Sequence, residues 1–419
     1  MQVSQLPKSL KPQLIQANLD QARFSKPSEL AQEAYYQILD PETLEVWGFV
    51  AIDNIQRGPG LGGIRMAKNV SMNEVSRLAR TMTLKNSAAC LPYGGAKAGL
   101  VIKDPDHIFN SSLRNMFFDK YADALFELES YIPAPDMGTD EWDIQTIFEN
   151  HSNKLGKEAH HRGGASRPES KGGIPIDEWE LTAHGLFSAI KTMESIDETL
   201  NLSTANYIVQ GFGNVGAPTA LKLQEEGATL VGASDINTAI WNPKGLDVRL
   251  LNKIQKEPGG LCNYSLEVEK SFSSKNLDWL LEAPCDILIP CARPDAITAK
   301  NVDRIQCRYI LQGANTPSSK PVEYYLHHRR NIISLTDFIV NAGGVIGCAV
   351  ERKISIDSSY AAKVKKSGIR SYVENLISNT IKKNILEIQS QIKGKNDYIF
   401  RDAATELAMG RILTKEVWL

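Results

Sequence analysis

The stretch "YIVQGFGNVGAPTALKLQEEGATLVGASD" (Tyr207–Asp235) decides the fold. "YIVQ" is a short apolar run that reads as a buried strand, and it stops at Gly211, the first glycine of a Gly211-x-Gly213-x-x-Gly216 spacing. "APTALKLQEEG" reads as a helix starting beside the third glycine, and "ATLVGASD" as the next strand, closing on Asp235. The spacing alone is weak, because Gly-rich turns are common; the strand before it and the helix after it give it meaning. In that setting Gly211 permits a tight turn, Gly213 lets backbone approach a pyrophosphate, and Gly216 lets helix pack on strand. Asn214 and Val215 complete the turn, and the helix start offers unpaired N–H groups and a positive dipole end to phosphates. Asp235 stands where a carboxylate accepts bonds from ribose hydroxyls and repels a 2′-phosphate. The expected cofactor is therefore NAD, with NADP possible.

From about residue 204 to 345 strands and helices continue to alternate, which implies a parallel sheet with helices on its faces. A chain of 419 residues exceeds one ordinary core, so two domains are expected. Ahead of the dinucleotide stretch, "YYQIL" and "VWGFVAI" read as strands around the turn signal "DPET", after a helical start near residue 28. "NEVSRLARTMTLKNSAAC" puts Val75, Leu78, Ala79 and Met82 on one helical face, and "SSLRNMFFDKYADALFEL" is a second amphipathic helix. Residues 151–180 are rich in Gly, Pro and charge and read as a surface loop; "EWELTAHGLFSAIKTMESI" then enters the second half as a helix. The expected fold class is α/β with two domains. Residues 1–184 form an N-terminal α/β domain, onto which helices of about 357–419 pack back. Residues 185–356 form a Rossmann-type, doubly wound dinucleotide-binding domain.

Composition narrows the function. Apolar residues make up 42% and charged residues 23%, ordinary for a globular chain rather than a disordered one. A net charge of −2 leaves no basic excess to neutralise phosphates, which argues against a nucleic-acid partner. The six cysteines (Cys90, Cys262, Cys285, Cys291, Cys307 and Cys348) contain no C-x-x-C pair and fit reduced thiols of a cytoplasmic protein. His160–His161 and His327–His328 lack the i,i+4 spacing of helical ligands, read as surface residues, and give no reason to expect a metal. The N-terminus has no signal-peptide core, and the apolar run Phe338–Val350 falls short of the ~20 residues a membrane helix needs. No membrane partner is expected.

Three stretches carry candidate chemistry. "TLKNSAACLPYGGAKAGL" places Lys85 on a helix and Lys97 on a Gly-rich turn among apolar residues. Burial, and repulsion from Lys85 if the two lie close, lower the pKa of Lys97 toward that of a general base; the alternative is two solvated lysines. "YIPAPDMGTD" fixes Asp136 between prolines and a glycine, either as a reacting carboxylate or as an Asx-turn residue. "GPGLGGIRM" (Gly58–Met66) is Gly-rich without a strand-turn-helix context, so its glycines read as a close turn rather than a phosphate cradle.

Taken in order, "GPGLGGIRM", "MTLKNSAACLPYGGAKAGL", "PAPDMGTD", "GFGNVG", "QGANTP" and "NAGGV" resemble the glutamate/leucine/phenylalanine/valine dehydrogenases, from about residue 35 to 351. The resemblance implies reversible NAD(P)-dependent oxidative deamination of an L-amino acid to a 2-oxo acid and ammonia. It implies that Lys85 holds the α-carboxylate, that Lys97 activates water, and that Asp136 shuttles protons at the amino nitrogen. Thr182 and Asn315 match positions near the nicotinamide, and Asn341 one that helps place substrate. It further implies a substrate-binding and oligomerisation role for the first domain, chemistry in a cleft that closes against water, and a homo-oligomer, with a hexamer favoured.

Departures from the family pattern bear on substrate. Glutamate enzymes of the family usually carry a lysine where this chain has Leu61, and a serine where it has Cys348, to hold the side-chain carboxylate. Leaving such a charge unpaired costs about 3–5 kcal/mol, so an apolar, leucine-, valine- or phenylalanine-like substrate is expected. Glutamate is the alternative, with Arg65 or Lys68 replacing the missing cation. A different class of alternative is a non-catalytic dinucleotide-binding subunit that regulates or assembles. His184 stands where an arginine is common, the segment from Lys97 to Asp104–Pro105 is one residue longer than the family pattern, and the loop near residues 160–180 is expanded.

Overall fold

The structure, a computed structural model, describes residues 6–15, 34–103, 110–266, 268–273, 277–395, 397–414 and 416–419. The helical start near residue 28 and the Asp104–Pro105 pair lie outside the described residues. The chain divides into two units. Unit 1 comprises Met1–Ile176, Val345–Val373 and Ala408–Leu419; unit 2 comprises Asp177–Gly344 and Glu374–Leu407.

Unit 1 is built on a six-stranded sheet of β1 (Lys11–Ile15), β2 (Ala34–Leu39), β3 (Val46–Asn54), β4 (Gly60–Ala67), β5 (Gly94–Val101) and β6 (Tyr131–Pro135), in the order β1-β2-β3-β5-β4-β6. β4 runs parallel to both β5 and β6, whereas β3 and β5 are antiparallel. Parallel neighbours need a crossover. α1 (Met72–Ala88) supplies it between β4 and β5, and α2 (Ser111–Phe126) precedes β6. Ser71 caps α1, its Oγ accepting the Glu74 N–H at 3.3 Å. Strand alternation then sorts the side chains. Ile64, Met66, Ala98 and Leu100 pack with Phe117, Phe118 and Tyr121 of α2, while Val70, Val75 and Ala79 form a second cluster at α1.

Both Gly-rich stretches expected as turns are strands. The glycines serve close packing instead: a Cβ on Gly95 would lie 2.1 Å from the Thr83 nitrogen on α1, and one on Gly99 2.2 Å from Val70 Cγ1. α1 therefore rests almost directly on the sheet backbone. Pro133 and Pro135 sit in β6, which ends the sheet, where a missing N–H costs no ladder bond on the open side.

Unit 2 contains a seven-stranded sheet of β7 (Asn206–Gln210), β8 (Thr229–Ser234), β9 (Thr238–Trp241), β10 (Lys270–Ser273), β11 (Ile287–Pro290), β12 (Tyr309–Leu311) and β13 (Ile333–Leu335). Its order is β10-β9-β8-β7-β11-β12-β13, parallel from β8 to β13. β8 follows β7 on one side and β11 joins it on the other, so the strand order reverses at β7. Ligands of doubly wound sheets bind outside the carboxyl ends of the strands at such a point. Its helices are α4 (Leu181–Glu194), α5 (Gly216–Glu225), α6 (Val248–Ile254), α7 (Lys320–Arg330) and α8 (Asp337–Val340); α3 (Glu141–Leu155), nearly all of α9 (Gly343–Ile356) and α10 (Ser358–Ser367) belong to unit 1, and α11 (Ile369–Ile392) and α12 (Phe400–Thr414) are divided between the units. None among the described residues is long and apolar enough to cross a membrane.

The packing of α1 on the sheet is open to test. Gly95→Ala should destabilise the protein by about 1–3 kcal/mol through overpacking, read as a lower thermal unfolding midpoint. An unchanged midpoint would show that α1 can lift without cost.

Candidate active site

β4 and β5 are in parallel register, with Leu61 opposite Gly95 and Arg65 opposite Gly99. Alternation therefore puts Leu61, Gly63, Arg65 and Lys97 on the face that α1 covers. Lys97 lies mid-strand, its side chain 2% exposed, and its Nζ donates to Asp136 Oδ1 at 2.7 Å. Asp136 follows the end of β6, where its N–H donates to Thr139 Oγ1 at 2.9 Å and holds the chain in a turn. Its carboxylate bonds Lys97 and Arg65. Arg65 Nε donates to Asp136 Oδ2 at 2.9 Å, and Arg65 Nη1 to Glu74 Oε1 at 2.6 Å. Two basic groups and two carboxylates thus close a charge-balanced cluster. Gly63 makes room for it: a Cβ there would lie 2.7 Å from the Asp136 Cβ and 3.2 Å from Lys97 Nζ.

The electrostatics follow from burial. Desolvation lowers the Lys97 pKa; Asp136 opposes that shift, and Arg65 adds to it by repulsion. The like charge acting on Lys97 is therefore Arg65, where the sequence suggested Lys85. Burial alone would raise the Asp136 pKa, but Lys97 and Arg65 outweigh it and hold the carboxyl well below its usual range. Lys85 is buried in the last turn of α1. Leu61 is fully buried. Cys348 is buried on α9, and burial, with the nearby Glu351 carboxylate, raises its thiol pKa far above the ordinary value. Sequence reasoning missed Arg65 and Glu74 as members of the cluster. Reading "GLGGIRM" as a strand would have found Arg65, two positions beyond Gly63 on the same face.

In unit 2 the turn after β7 has the geometry a pyrophosphate needs. Gly211 adopts φ +92°, and a Cβ on it would lie 2.8 Å from Ala292. A Cβ on Gly216 would lie 2.2 Å from the Gly211 carbonyl oxygen, so only glycine lets α5 start there. A Cβ on Gly213 would meet nothing within 4 Å, which leaves open space beside the backbone. Val215 caps α5 without any side-chain bond to its N–H groups. These residues fit a dinucleotide phosphate. Asn214 is exposed and donates to Asp177 Oδ2 at 3.1 Å. Asp235 Oδ1 accepts the N–H groups of Asn237 and Thr238 at 2.7 and 2.8 Å, and its Oδ2 that of Leu261 at 2.8 Å. About one of its four or so lone-pair directions remains for a ribose hydroxyl.

The remaining residues lie elsewhere in the same unit. Asn341 donates through Nδ2 to the Gly313 carbonyl at 3.0 Å and to Asn315 Oδ1 at 3.2 Å. Its own Oδ1 is buried with no hydrogen-bond partner among the described residues, an acceptor open to a ligand's donor. Thr182 lies half-buried in the first turn of α4. His184, on the same helix, has Nε2 within 2.8 Å of Ser378 Oγ and 3.1 Å of the Glu374 carbonyl. Among the described residues no three His, Cys, Asp or Glu side chains gather as metal ligands.

Known proteins match this chain along most of its length. A family model described as glutamate/leucine/phenylalanine/valine dehydrogenase matches residues 172–416, and its companion dimerisation domain matches residues 37–153. The chain is 30% identical to a glutamate dehydrogenase of Aeropyrum pernix, over 93% of this chain and 90% of that one. It is 32% identical to an NADP-specific glutamate dehydrogenase of Saccharolobus shibatae, over 73% and 70%. Among solved structures, a hetero-hexameric glutamate dehydrogenase of Thermus thermophilus with leucine bound superposes with a TM-score of 0.76 at 20% identity, covering 98% of this chain and 89% of that one. At that identity the likeness concerns the fold.

The three glycines of the turn should separate on substitution. Gly213→Ala should leave the unfolding midpoint near that of the parent while weakening NAD binding at least roughly tenfold, measured by calorimetry, because the new methyl fills the phosphate's space. Gly216→Ala should lower the midpoint instead. Undiminished NAD affinity in Gly213→Ala would remove the phosphate from this turn.

Proposed function

Because the chain belongs to the glutamate/leucine/phenylalanine/valine dehydrogenase family, NAD- or NADP-dependent oxidoreductases acting on CH–NH2 donors, we propose that Lys97 and Asp136 carry its reversible oxidative deamination of an L-amino acid. The observation that carries this reading is the buried ion pair between them, with Arg65 on the far carboxylate oxygen. Nicotinamide, when bound, supplies the two-electron acceptor. Gly211, Gly213, Gly216, Asn214 and Val215 hold its phosphates, Asp235 its ribose, and Thr182 and Asn315 the nicotinamide end. Asp235 supports NAD over NADP.

In unit 1, Lys85 pairs with the substrate α-carboxylate. The Lys97 amine, its pKa lowered by burial, takes a proton from the attacking water. Asp136, 2.7 Å from Lys97 Nζ, exchanges a proton with the substrate nitrogen while Arg65 keeps its carboxylate from turning. Asn341 places the substrate. Both reacting groups are present and in contact, which supports catalysis over a purely regulatory subunit. A hexamer is proposed in keeping with the hetero-hexameric Thermus thermophilus assembly, and its being built of identical chains rests on the family resemblance alone.

The substrate expectation shifts. The relatives named as glutamate dehydrogenases support L-glutamate over the apolar amino acid expected from Leu61. One observation favours an apolar substrate as the second reading: Leu61 is fully buried on the Lys97 face, and Arg65 is bound to Asp136 and Glu74. A glutamate side chain therefore needs a partner other than these two residues.

A panel of L-glutamate, L-leucine, L-valine and L-phenylalanine with NAD and with NADP, followed by absorbance of the reduced cofactor, tests both levels. Glutamate should give the highest kcat/KM. A higher value for leucine would establish the second reading, and no turnover with any amino acid would end the enzyme reading. Leu61→Lys with Cys348→Ser should raise the glutamate-to-leucine ratio at least roughly tenfold, since it restores a cation and a hydroxyl donor. An unmoved ratio would take residues 61 and 348 out of substrate recognition.

The pH profile tests the cluster. Arg65 on β4, Glu74 on α1 and Asp136 after β6 are the charged groups that act on Lys97. Arg65→Gln removes a repelling charge and leaves Asp136 to Lys97 alone, and both effects favour the protonated amine. The Lys97 pKa should rise, and the acid limb of kcat/KM should move up by roughly one pH unit. A limb that stays or moves down would contradict the assignment of Lys97 as base.

A further inference from the structure

Gln312–Ser318 follows β12 and includes Asn315, and a buried charged cluster lies against it. Arg401, on α12, donates through Nε to Glu323 Oε2 at 2.8 Å and through Nη2 to Glu323 Oε1 at 2.7 Å. The same Nη2 lies 3.2 Å from Asp337 Oδ1 and 3.1 Å from Gln312 Oε1. Glu323, Asp337 and Gln312 are all buried. Each acceptor in turn grips the loop. Asp337 Oδ2 accepts the Thr316 N–H at 2.8 Å, Glu323 Oε1 accepts from Ser318 Oγ at 2.7 Å, and Gln312 begins the loop itself.

We propose that Arg401 is a positioning residue for the dinucleotide: through Glu323, Asp337 and Gln312 it holds the Gln312–Ser318 loop so that Asn315 meets the cofactor. This rests on the reading of Asn315 as a cofactor contact. The loop needs holding, because Thr316 adopts φ +48°, a conformation that a β-branched residue takes only when its surroundings enforce it. Its N–H donates to Asp337 Oδ2, and its carbonyl accepts from the Asp295 N–H at 3.0 Å, so both sides of the residue are held. Asp337 and Glu323 are both carboxylates, and without the guanidinium two buried negative charges would face each other. The guanidinium fork takes both Glu323 oxygens, Nε on Oε2 and Nη2 on Oε1, a pairing that the single nitrogen of a lysine does not reproduce. Asn341 extends the same frame, since its N–H bonds the Asp337 carbonyl at 2.9 Å while its side chain reaches Asn315. The simpler role, pinning α12 to α7, is already served by Lys320 and Asp402, whose side chains meet at 2.5 Å.

The test compares Arg401→Met, Arg401→Lys and the control Lys320→Met. Calorimetry gives NAD and NADP dissociation constants, and steady-state kinetics gives KM for the amino acid that turns over. Arg401→Met should raise the Kd of the preferred dinucleotide at least tenfold while the amino-acid KM stays within twofold. Arg401→Lys, which keeps the charge and loses the fork, should fall between it and the parent. Lys320→Met should leave the dinucleotide Kd unchanged. If Arg401→Met does not fold, Arg401→Lys decides alone, with a Kd raised at least threefold supporting the proposal. A dinucleotide Kd within twofold of the parent in a folded Arg401 variant overturns it. So does a parallel loss of dinucleotide and amino-acid binding, or an equal loss in Lys320→Met. If the parent protein itself binds neither dinucleotide, the cofactor reading falls first and this inference with it.

Discussion

One carboxylate shared between two buried cations governs this molecule. Asp136 gives one oxygen to Lys97 and the other to Arg65, and Arg65 reaches on to Glu74. Two isolated cations could not be buried here without severe desolvation cost. Two carboxylates balance them, and burial still lowers the pKa of the Lys97 amine. Arg65 stays charged at any ordinary pH, so of the two cations only Lys97 can change its protonation.

The glycines serve that constraint. In unit 1 they clear room: Gly63 for the cluster itself, Gly95 and Gly99 for the helix that covers it. In unit 2 they divide three tasks, with Gly211 providing the left-handed turn, Gly213 open space and Gly216 the close helix start. Similar-looking Gly-rich stretches therefore do unlike things. What separates them is the neighbouring element, a covering helix in one case and a helix N-terminus in the other.

Much of this was legible in the chain. The strand-glycine-helix pattern around Gly211 fixed the dinucleotide fold because its periodicity switches from strand to helix at the turn. The motifs single out Lys97 and Asp136 as candidates, but not the strands that surround them. Glycine is a turn former in isolation, and only the parallel pairing of β4 with β5 makes "GLGGIRM" and "GGAKAGLV" strands. That pairing is non-local, so no window of sequence displays it. The same holds for Arg65, which looks like a solvated arginine until strand alternation turns it toward Asp136. Arg401 lies in a helix remote from every motif, and only tertiary structure brings it to Glu323 and Asp337.

The turnover of Asp136→Asn decides whether the Asp136 carboxylate takes part in the chemistry or only pairs two cations. Asparagine keeps the shape, and its one carbonyl oxygen can accept from Lys97 or from Arg65 but not from both as the carboxylate does, and it cannot take up a proton. In this variant kcat should fall at least roughly a thousandfold, with dinucleotide affinity within twofold of the parent and cooperative unfolding retained. A variant that keeps kcat within tenfold of the parent would contradict a chemical role for Asp136.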